Sequence, residues 1–340
     1  MDEPGAPWLI YALGGGWGHL TRAAALARAA STQHRVRILT NSPYASQVLN
    51  AMPALDLVVI DPALSAADTR LETVRHIRAA SPACLIVDTF PRGLGGELAD
   101  VLHSLALCKV LVHRDLDPRY VAEAGLRAFV ESAYDLILVP GEAEGHAFAD
   151  LPAAVVTAPW LIRSPSELPP RQPGQPPCIV VCTSGRDEEL AWYGAVVAQL
   201  LLSSKAVAVR CIAASCPPGC PRECWIAHWP AADLYAQADV VVGGAGYNTI
   251  HECLAYGIPL IAHPWPRQYD RQWLRAQQAT QRGSVTVVEH PEEAALAAIG
   301  QLDAARPRRP PLGFRNGADE AVGLILSATQ SVCGPDPRSL

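Results

Sequence analysis

Residues 243–265, GGAGYNTIHECLAYGIPLIAHPW, constrain the fold more than any other part of the chain. The apolar run at 239–242 that precedes them is typical of a buried parallel strand. The glycines that follow let backbone approach a ligand closely, because they carry no Cβ. A helical pattern comes next, with Asn248 or Thr249 as candidate caps, and Gly257 ends it before another apolar strand. The segment therefore predicts a strand, a glycine turn and a helix whose free N–H groups favour an anion.

Other groups in this half are candidates for contacts with a phosphate, a ribose or a sugar. Glu252 lies early in the predicted helix, where its carboxylate can accept two hydrogen bonds from ribose hydroxyls. Arg267 or Arg271 can neutralise a phosphate. The remaining candidates are groups of the two turns, the start of the helix that follows the second turn, and polar side chains after the next strand: Ser184, Gly185, Gly244, Ala245, Gly246, Asn248, Thr249, Gln268, Asp270 and Gln272. The alternatives are an ordinary strand–turn–helix and a solvated loop.

Length and composition set the broad class. With 340 residues, half of them hydrophobic, the chain can form two domains with large cores. A net charge of −6 argues against a nucleic-acid-binding protein. The acidic N-terminus lacks the basic start of a signal peptide, and no apolar run of about 18 residues predicts a membrane span. We expect a cytoplasmic protein; peripheral attachment to a membrane and the oligomeric state are left open.

Apolar runs alternate with helical segments through both halves of the chain. This rhythm predicts the α/β class, with two parallel sheets that are each covered on both faces. Residues 163–177 contain six prolines and are expected to form a linker. The expected domains are therefore residues 1–162 and residues 178–315, followed by a C-terminal helix and tail at 316–340.

The first glycine turn, GGGWGH, resembles a dinucleotide fingerprint but fails its test. In the G-x-G-x-x-G phasing from Gly14 and Gly16, His19 occupies the third glycine position. The second strand ends in Thr40-Asn41 instead of the acidic residue that binds an adenosine ribose. We therefore do not expect NAD. Gly16 and Gly18 remain candidates for backbone contacts with a ligand.

His19 is the candidate catalytic base. It lies where the first helix is predicted to begin, at the carboxyl edge of the sheet, where open α/β folds place ligands. Its imidazole can take a proton from an acceptor hydroxyl. Asp88 ends a strand at the same edge, so it can orient His19 or contact the acceptor. The alternatives are that His19 only hydrogen-bonds within its loop and that Asp88 only caps the turn before Phe90.

No metal is assigned from the sequence. The D-x-D tripeptide at 115–117 is a weak signal and lies in the half without the second glycine turn. Four cysteines between residues 211 and 224 are not spaced as in zinc ribbons, so a loop with incidental thiols is favoured over a metal site, and redox pairing stays open: Cys211, Cys216, Cys220 and Cys224. The motifs of zincins, α/β-hydrolases and P-loop NTPases do not occur.

Two glycine-led segments, residues 14–29 and 243–279, together resemble the GT-B glycosyltransferases. The likeness is closest to the MurG-like branch, which includes the N-acetylglucosaminyltransferase of peptidoglycan synthesis. DTFPRG at 88–93 and LVHRDLD at 111–117 also resemble segments of that branch. The bulky Trp17 before His19 departs from the pattern, which suggests an acceptor other than a lipid-linked muropeptide.

The resemblance implies two Rossmann-like domains that face each other across a cleft, with the acceptor bound mainly by the first and a UDP-sugar by the second. It implies that residues 243–246 and Glu252 hold the diphosphate and ribose, while residues 268–272 contact the donor sugar. It also implies an inverting transfer without a bound metal and with no cofactor besides the nucleotide-sugar co-substrate. The alternatives are a sugar-nucleotide hydrolase on the same scaffold and a non-catalytic module that binds nucleotide sugars.

Overall fold

The chain forms two compact units in the computed structural model. The first contains residues 1–162 and 316–340, and the second contains residues 163–315. The structure describes residues 6–141, 144–169, 174–203, 206–281, 283, 285–304 and 313–333. Part of the expected linker (170–173), the Arg/Pro-rich segment at 306–311 and the end of the tail (334–340) lie outside the described residues.

The first unit is built on a sheet of seven parallel strands. In chain order they are β1 (Trp8–Tyr11), β2 (Val36–Thr40), β3 (Asp56–Val59), β4 (Cys84–Asp88), β5 (Cys108–Val112), β6 (Leu136–Pro140) and β7 (Ala154–Thr157). Their order across the sheet is β3-β2-β1-β4-β5-β6-β7. Every residue of β1, β4 and β6 is buried, as expected for strands covered on both faces.

Helices cover this sheet, and they include one from the end of the described chain. They are α1 (Trp17–Ala30), α2 (Ala45–Ala51), α3 (Ala66–Ala80), α4 (Ala99–Ser104), α5 (Pro118–Glu123), α6 (Leu126–Ala133) and α12 (Gly317–Cys333). The sequence predicts that the first helix begins at His19, but α1 begins at Trp17. The reason is that Gly16 has extended backbone (φ −107°, ψ 171°) and serves as the N-cap.

The second unit has a sheet of six parallel strands and, among its described residues, five α-helices and a short 3₁₀ helix (Pro165–Glu167). Its elements are β8 (Cys178–Cys182), α7 (Asp187–Leu201), β9 (Ala208–Ile212), β10 (Trp225–Ile226), α8 (Ala232–Tyr235), β11 (Val240–Gly244), α9 (Tyr247–Tyr256), β12 (Leu260–His263), α10 (Gln272–Gln281), β13 (Val285–Val287) and α11 (Pro291–Asp303). The sheet order is β10-β9-β8-β11-β12-β13. Among the described helices, none combines the length and apolarity that crossing a bilayer requires.

The strand order reverses once in each sheet, and this reversal positions the candidate sites. The reversal lies between β1 and β4 in the first sheet and between β8 and β11 in the second. Because all the strand pairs are parallel, the carboxyl ends of each sheet meet at one edge. Connections leave in opposite directions at a reversal and open a crevice there, which is where α/β folds bind ligands. The prediction of two parallel Rossmann-like sheets is confirmed.

The C-terminal helix docks on the first unit through a tight backbone contact. The Asn316 side chain accepts a hydrogen bond from Leu161 N (3.1 Å) and donates one to Leu161 O (2.8 Å). Gly317 N donates a hydrogen bond to Pro159 O, and the 3.0 Å distance between these atoms is typical of a backbone hydrogen bond. A Cβ added to Gly317 would lie 1.8 Å from Ala158 O. Only glycine therefore fits where α12 begins.

Gly317→Ala tests this docking. The added methyl group must push backbone apart, so we expect the free energy of unfolding to fall by about 1–3 kcal/mol, the usual cost of overpacking. Gly323→Ala is the matched control, since it lies in the same helix with nothing within 4 Å of the added Cβ. We expect that control to be neutral or to gain up to about 1 kcal/mol. Equal effects in urea unfolding would show that the contact at Ala158 does not hold α12.

Candidate functional site

The structure brings His19 and Asp88 together at the reversal of the first sheet. His19 lies in the first turn of α1, which follows β1, and Asp88 is the last residue of β4. His19 Nδ1 is 2.5 Å from Asp88 Oδ2. A carboxylate can only accept, so Nδ1 carries the proton and the lone pair of the ring is on Nε2. The His19 side chain is 20% exposed, whereas Asp88 is 2% exposed, so the imidazole separates the buried carboxylate from solvent.

Arg22 completes this pair and is not predicted from the sequence. Its Nε donates to Asp88 Oδ1 (2.7 Å) and its Nη2 to Asp88 Oδ2 (2.6 Å), and the guanidinium is buried. Burial alone raises the pKa of Asp88, but the Arg22 charge and the His19 hydrogen bond outweigh it and bring the pKa to about 2. Asp88 is therefore ionised at any ordinary pH. Three-residue spacing on a helix places His19 and Arg22 on one face, which is the signal that could have revealed Arg22.

Two backbone features shape the surroundings of His19. A Cβ on Gly14 would lie 2.6 Å from His19 Cδ2 and 2.9 Å from Nε2, so the ring fits only because residue 14 is glycine. Thr89 has φ +70°, an unfavourable value for a β-branched residue, and Phe90 N donates back to Asp88 O (2.9 Å). This sharp turn brings the Phe90 ring within 5.6 Å of the His19 ring. Strain of about 1–3 kcal/mol at such positions is typical of functional sites.

The exposed part of the first glycine turn lies next to His19. Gly16 is the N-cap of α1 without a side-chain capping bond, and Gly18 lies in its first turn. Nothing lies within 4 Å of a Cβ added to either residue. Trp17 between them stacks on Tyr44, with ring centroids 4.1 Å apart and planes at 6°. Backbone contacts from Gly16 and Gly18 to a ligand stay a prediction.

The second glycine turn lies at the reversal of the second sheet, as the sequence predicts. Gly246 is the N-cap of α9, with φ −69° and ψ 156° and no side-chain capping bond. The prediction that Asn248 or Thr249 caps this helix is wrong, because both lie inside its first turn. The extended backbone of Gly246 starts the helix earlier than a side-chain cap at 248 would. Gly244 and Ala245 complete the turn, and N–H groups at the start of α9 lack side-chain caps.

Glu252 is a buried carboxylate without an opposite charge beside it. It lies on α9, is 4% exposed, and forms no hydrogen bond to a described residue. Burial first, and the Asp233 charge second, raise the pKa of Glu252 to about 8. A buried polar group without a partner is costly and calls for an explanation. Ribose hydroxyls donating to this carboxylate would supply one, as the sequence analysis proposes.

The segment after β12 is held by its own side chains. Gln272 is buried, and its carbonyl oxygen accepts from Trp265 N (3.0 Å). The Arg275 guanidinium binds both carboxylate oxygens of Asp270 (2.5 and 3.3 Å) and Ala245 O (3.1 Å), and so ties the segment to the glycine turn. The side-chain oxygens of Asp270 and Gln272 therefore accept hydrogen bonds from Arg275 and from Trp265 N. Gln268 is exposed, and Arg271 is partly buried. Arg275 is not predicted from the sequence, because its contact with Ala245 joins residues 30 positions apart.

The turn after β8 also lies at this reversal. Ser184 is exposed, but its hydroxyl donates to the buried carboxylate of Glu189 in the first turns of α7. Gly185 has φ +98°, which favours glycine, and its N–H donates weakly to Thr183 Oγ1 (3.4 Å). The Arg267 Nη2 atom lies 2.7 Å from Glu189 Oε1. Glu189 is not predicted from the sequence.

The acidic tripeptide and the cysteine loop have structural contacts of their own. Asp117 is the N-cap of α5, where its side chain accepts from Arg119 N. All four loop cysteines are free thiols, and Cys216 Sγ lies 3.4 Å from Cys220 O. Across the part of the chain that is described, no three His, Cys, Asp or Glu side chains form a group suited to a metal ion.

Comparison with known families matches the second unit. Residues 229–305 match the model of the glycosyltransferase family 28 C-terminal domain. The matched residues include the second glycine turn, all of α9 and the segment after β12. No curated protein matches the chain significantly.

Solved structures share the whole fold. SnogD, a glycosyltransferase from Streptomyces nogalater, is 15% identical with a TM-score of 0.62, over 95% of this chain and 99% of its own. MurG from Acinetobacter baumannii is 15% identical with a TM-score of 0.56, over 94% and 99%. SsfS6, a glycosyltransferase from Streptomyces sp. SF2575 complexed with thymidine diphosphate, is 14% identical with a TM-score of 0.61, over 96% and 98%. The resemblance to GT-B glycosyltransferases is confirmed.

The raised pKa of Glu252 predicts how stability depends on pH. The unfolded carboxyl titrates near 4.3 and the folded one near 8, so between these values the folded state keeps a proton that the unfolded state has lost. The free energy of unfolding must therefore fall as pH rises through this window, on the order of a few kcal/mol. Glu252→Gln removes the effect. We expect its thermal midpoint to meet that of the wild type near pH 5 and to exceed it near pH 8. Parallel curves would contradict the raised pKa.

Proposed function

We propose that this chain, a glycosyltransferase with the GT-B fold, transfers a sugar from a nucleotide-diphosphate donor to an acceptor hydroxyl. The observation that carries the proposal is helix α9, whose start has only a glycine cap and whose side holds the unpartnered carboxylate of Glu252. Anions bind at such helix starts through free N–H groups and the helix dipole. A nucleoside diphosphate laid along α9 satisfies both features with one ligand.

Donor binding follows from this placement. The diphosphate contacts the backbone of Gly244–Gly246 and the first turn of α9, and the ribose hydroxyls donate to Glu252. Gln268, the one exposed amide among the candidates after β12, contacts the sugar together with the remaining groups of residues 270–272. UDP is the nucleotide that the sequence resemblance favours. Thymidine diphosphate is the rival, because it occupies the structure of SsfS6.

In the proposed reaction, His19 is the general base and Asp88 orients its imidazole ring. His19 Nε2 removes the proton of the acceptor hydroxyl while the oxygen forms a bond to the anomeric carbon of the donor. The bond from that carbon to the diphosphate breaks, so the electron pair leaves with the diphosphate and the configuration inverts. Ionised Asp88 stabilises the imidazolium that forms. Helix N–H groups relieve the charge on the leaving diphosphate, so the proposal needs no divalent ion.

The two units divide the work in this proposal. Residues 1–162 bind the acceptor, a small molecule or a lipid-linked hydroxyl, and residues 178–315 bind the donor. The linker at 163–177 and the helix and tail at 316–340 complete the domain scheme. Cytoplasmic location, with peripheral membrane attachment left open, is part of the same proposal.

A thermal-shift panel of nucleotides and nucleotide sugars tests donor binding. A ligand present at 100 times its Kd stabilises the folded state by about 2.7 kcal/mol. UDP, thymidine diphosphate and their sugar conjugates should raise the unfolding midpoint, and NAD should not. If no nucleoside diphosphate shifts the midpoint, the proposal is wrong.

His19→Ala should separate binding from catalysis. General bases contribute about 10²–10⁴-fold, so we expect donor turnover to fall by that factor while UDP binding is unchanged. His76→Ala, a change of the same residue type in α3, is the control and should keep full turnover. Turnover is measured with the acceptor that the wild type uses. Undiminished turnover in His19→Ala would remove His19 from the mechanism.

Glu252→Ala should weaken UDP binding by about 1–3 kcal/mol, because the hydrogen bonds between the ribose hydroxyls and the buried carboxyl group are lost. A modified ligand, 2′-deoxy-UDP, which lacks one ribose hydroxyl, serves as the control. Wild-type protein should bind UDP more tightly than the deoxy analogue, whereas Glu252→Ala should bind the two alike in calorimetry. Discrimination retained by the variant would mean that Glu252 does not contact the ribose.

Two outcomes favour other activities of the same fold. Release of free sugar at a rate that no added acceptor changes indicates a sugar-nucleotide hydrolase. A biological effect that survives His19→Ala indicates a non-catalytic binding module.

A further inference from the structure

A buried ion pair, Glu189 with Arg267, lies at the carboxyl edge of the second sheet. The Glu189 side chain is 1% exposed, and its Oε1 atom is 2.7 Å from Arg267 Nη2. The other oxygen accepts the hydroxyl of Ser184, and Arg186 Nε lies 3.8 Å from Oε1. One oxygen of this buried carboxylate therefore accepts a hydrogen bond from Ser184, and the other is held by the ion pair with Arg267 without a hydrogen bond of good geometry.

The pair lies beside the second glycine turn. Tyr193, four residues after Glu189, is on the same face of α7. The Tyr193 hydroxyl accepts from Trp265 Nε1 (3.1 Å) and is 3.6 Å from the position of a Cβ at Gly244. Helix α7 begins at the carboxyl edge, so Glu189 is about 6 Å nearer to that edge than Tyr193. Tyr193 lies beside Gly244 of the glycine turn, and Glu189 is one helical turn closer to the carboxyl edge of the sheet.

Arg267 keeps donors available in this position. A guanidinium has five N–H groups, and the described contacts use Nη2 for Glu189 and Nη1 for Pro266 O (3.3 Å). The side chain is 15% exposed, so part of it reaches the surface. A free arginine loses rotamer entropy when a ligand fixes it. The contact with Glu189 fixes the side chain before any ligand arrives.

We propose that Glu189 is a positioning residue that holds the Arg267 guanidinium beside the glycine turn, where the guanidinium binds the diphosphate of the donor. The inference rests on the proposed donor site and adds to it the group that neutralises the diphosphate. Ser184 supports Glu189 in this arrangement, instead of donating its hydroxyl to a phosphate.

Electrostatics agree with this role. Burial raises the pKa of Glu189, and the Arg267 charge opposes the rise. A lone buried carboxylate beside a diphosphate site would repel the ligand. Paired with Arg267 it adds no net charge, and the arginine contributes directed N–H groups.

Calorimetry on five variants of the full chain tests the inference, with UDP and thymidine diphosphate as probes. Arg267→Ala should weaken binding of the diphosphate by about 10–100-fold. Glu189→Ala should weaken it about 5–50-fold, and the double variant should bind no more weakly than Arg267→Ala alone, because Glu189 acts through Arg267. Glu188→Ala removes the same charge from an exposed position of the same helix turn and should bind as the wild type does.

Uridine and thymidine, which lack the diphosphate, show whether a variant damages the whole site. Their thermal shifts at millimolar concentration should be the same in all variants. Glu189→Gln keeps the size of the side chain and one acceptor, so it should fold and lose about 3–10-fold in diphosphate binding. Circular dichroism confirms folding in each case.

Several results would overturn the inference. Additive losses in the double variant, wild-type affinity in Glu189→Ala and Glu189→Gln, or equal losses for nucleoside and diphosphate each contradict positioning through Arg267. Failure of the wild type to bind either diphosphate has a different meaning, because it overturns the donor site itself. If Arg267→Ala binds the diphosphates as tightly as the wild type, Arg267 does not contact the diphosphate and the inference is wrong, although the donor site itself stands.

Discussion

The geometry of parallel sheets decides where this protein can bind anything. Every observed strand pair is parallel, so each sheet has a single carboxyl edge, and each sheet reverses its strand order once beside its first strand. Helices that leave a reversal in opposite directions cannot cover the gap between them. Both candidate sites occupy these gaps. The same constraint aligns helix starts, with their unpaired N–H groups, toward the place where a ligand sits.

Charge compensation distinguishes three buried carboxylates. Asp88 has Arg22 and His19, and its pKa is about 2; Glu252 has only another carboxylate near it, and its pKa is about 8. For Glu189, burial raises the pKa and the charge of Arg267 opposes that rise. Breaking a buried pair costs about 3–5 kcal/mol, so Asp88 and Glu189 hold their neighbours firmly in place. Glu252 holds none, and this is the property that a ligand-binding carboxylate needs. Similar burial therefore leads to two different roles.

Much of this arrangement can be predicted from sequence. Apolar runs and glycine turns locate the strand ends, and parallel sheets bring strand ends together, which is why His19 and Asp88 are predicted to share an edge. Arg22, Glu189 and Arg275 are not predicted. Each lies within a helix that has an ordinary pattern, and its partner is a distant residue, as with Arg22 and Asp88, 66 positions apart.

Local errors have local causes. The cap of α9 is wrong because a glycine with extended backbone ends the turn before either polar candidate. Strand β7 is not predicted from the sequence because it is a four-residue edge strand with only one buried position, so it lacks the continuous apolar run of a central strand. Helix boundaries and edge strands depend on one or two residues, whereas the central strands depend on several.

The return of α12 to the first unit has a consequence for biosynthesis. That helix packs against α1, β5, β6 and β7, yet the whole second unit is translated before it. On the ribosome, the surface of the first unit that α12 later covers therefore stays exposed while residues 163–315 are synthesised. The second unit is continuous in sequence and can collapse as soon as it leaves the exit tunnel. Chain order and folding order are thus expected to differ, with the N-terminal unit completed last.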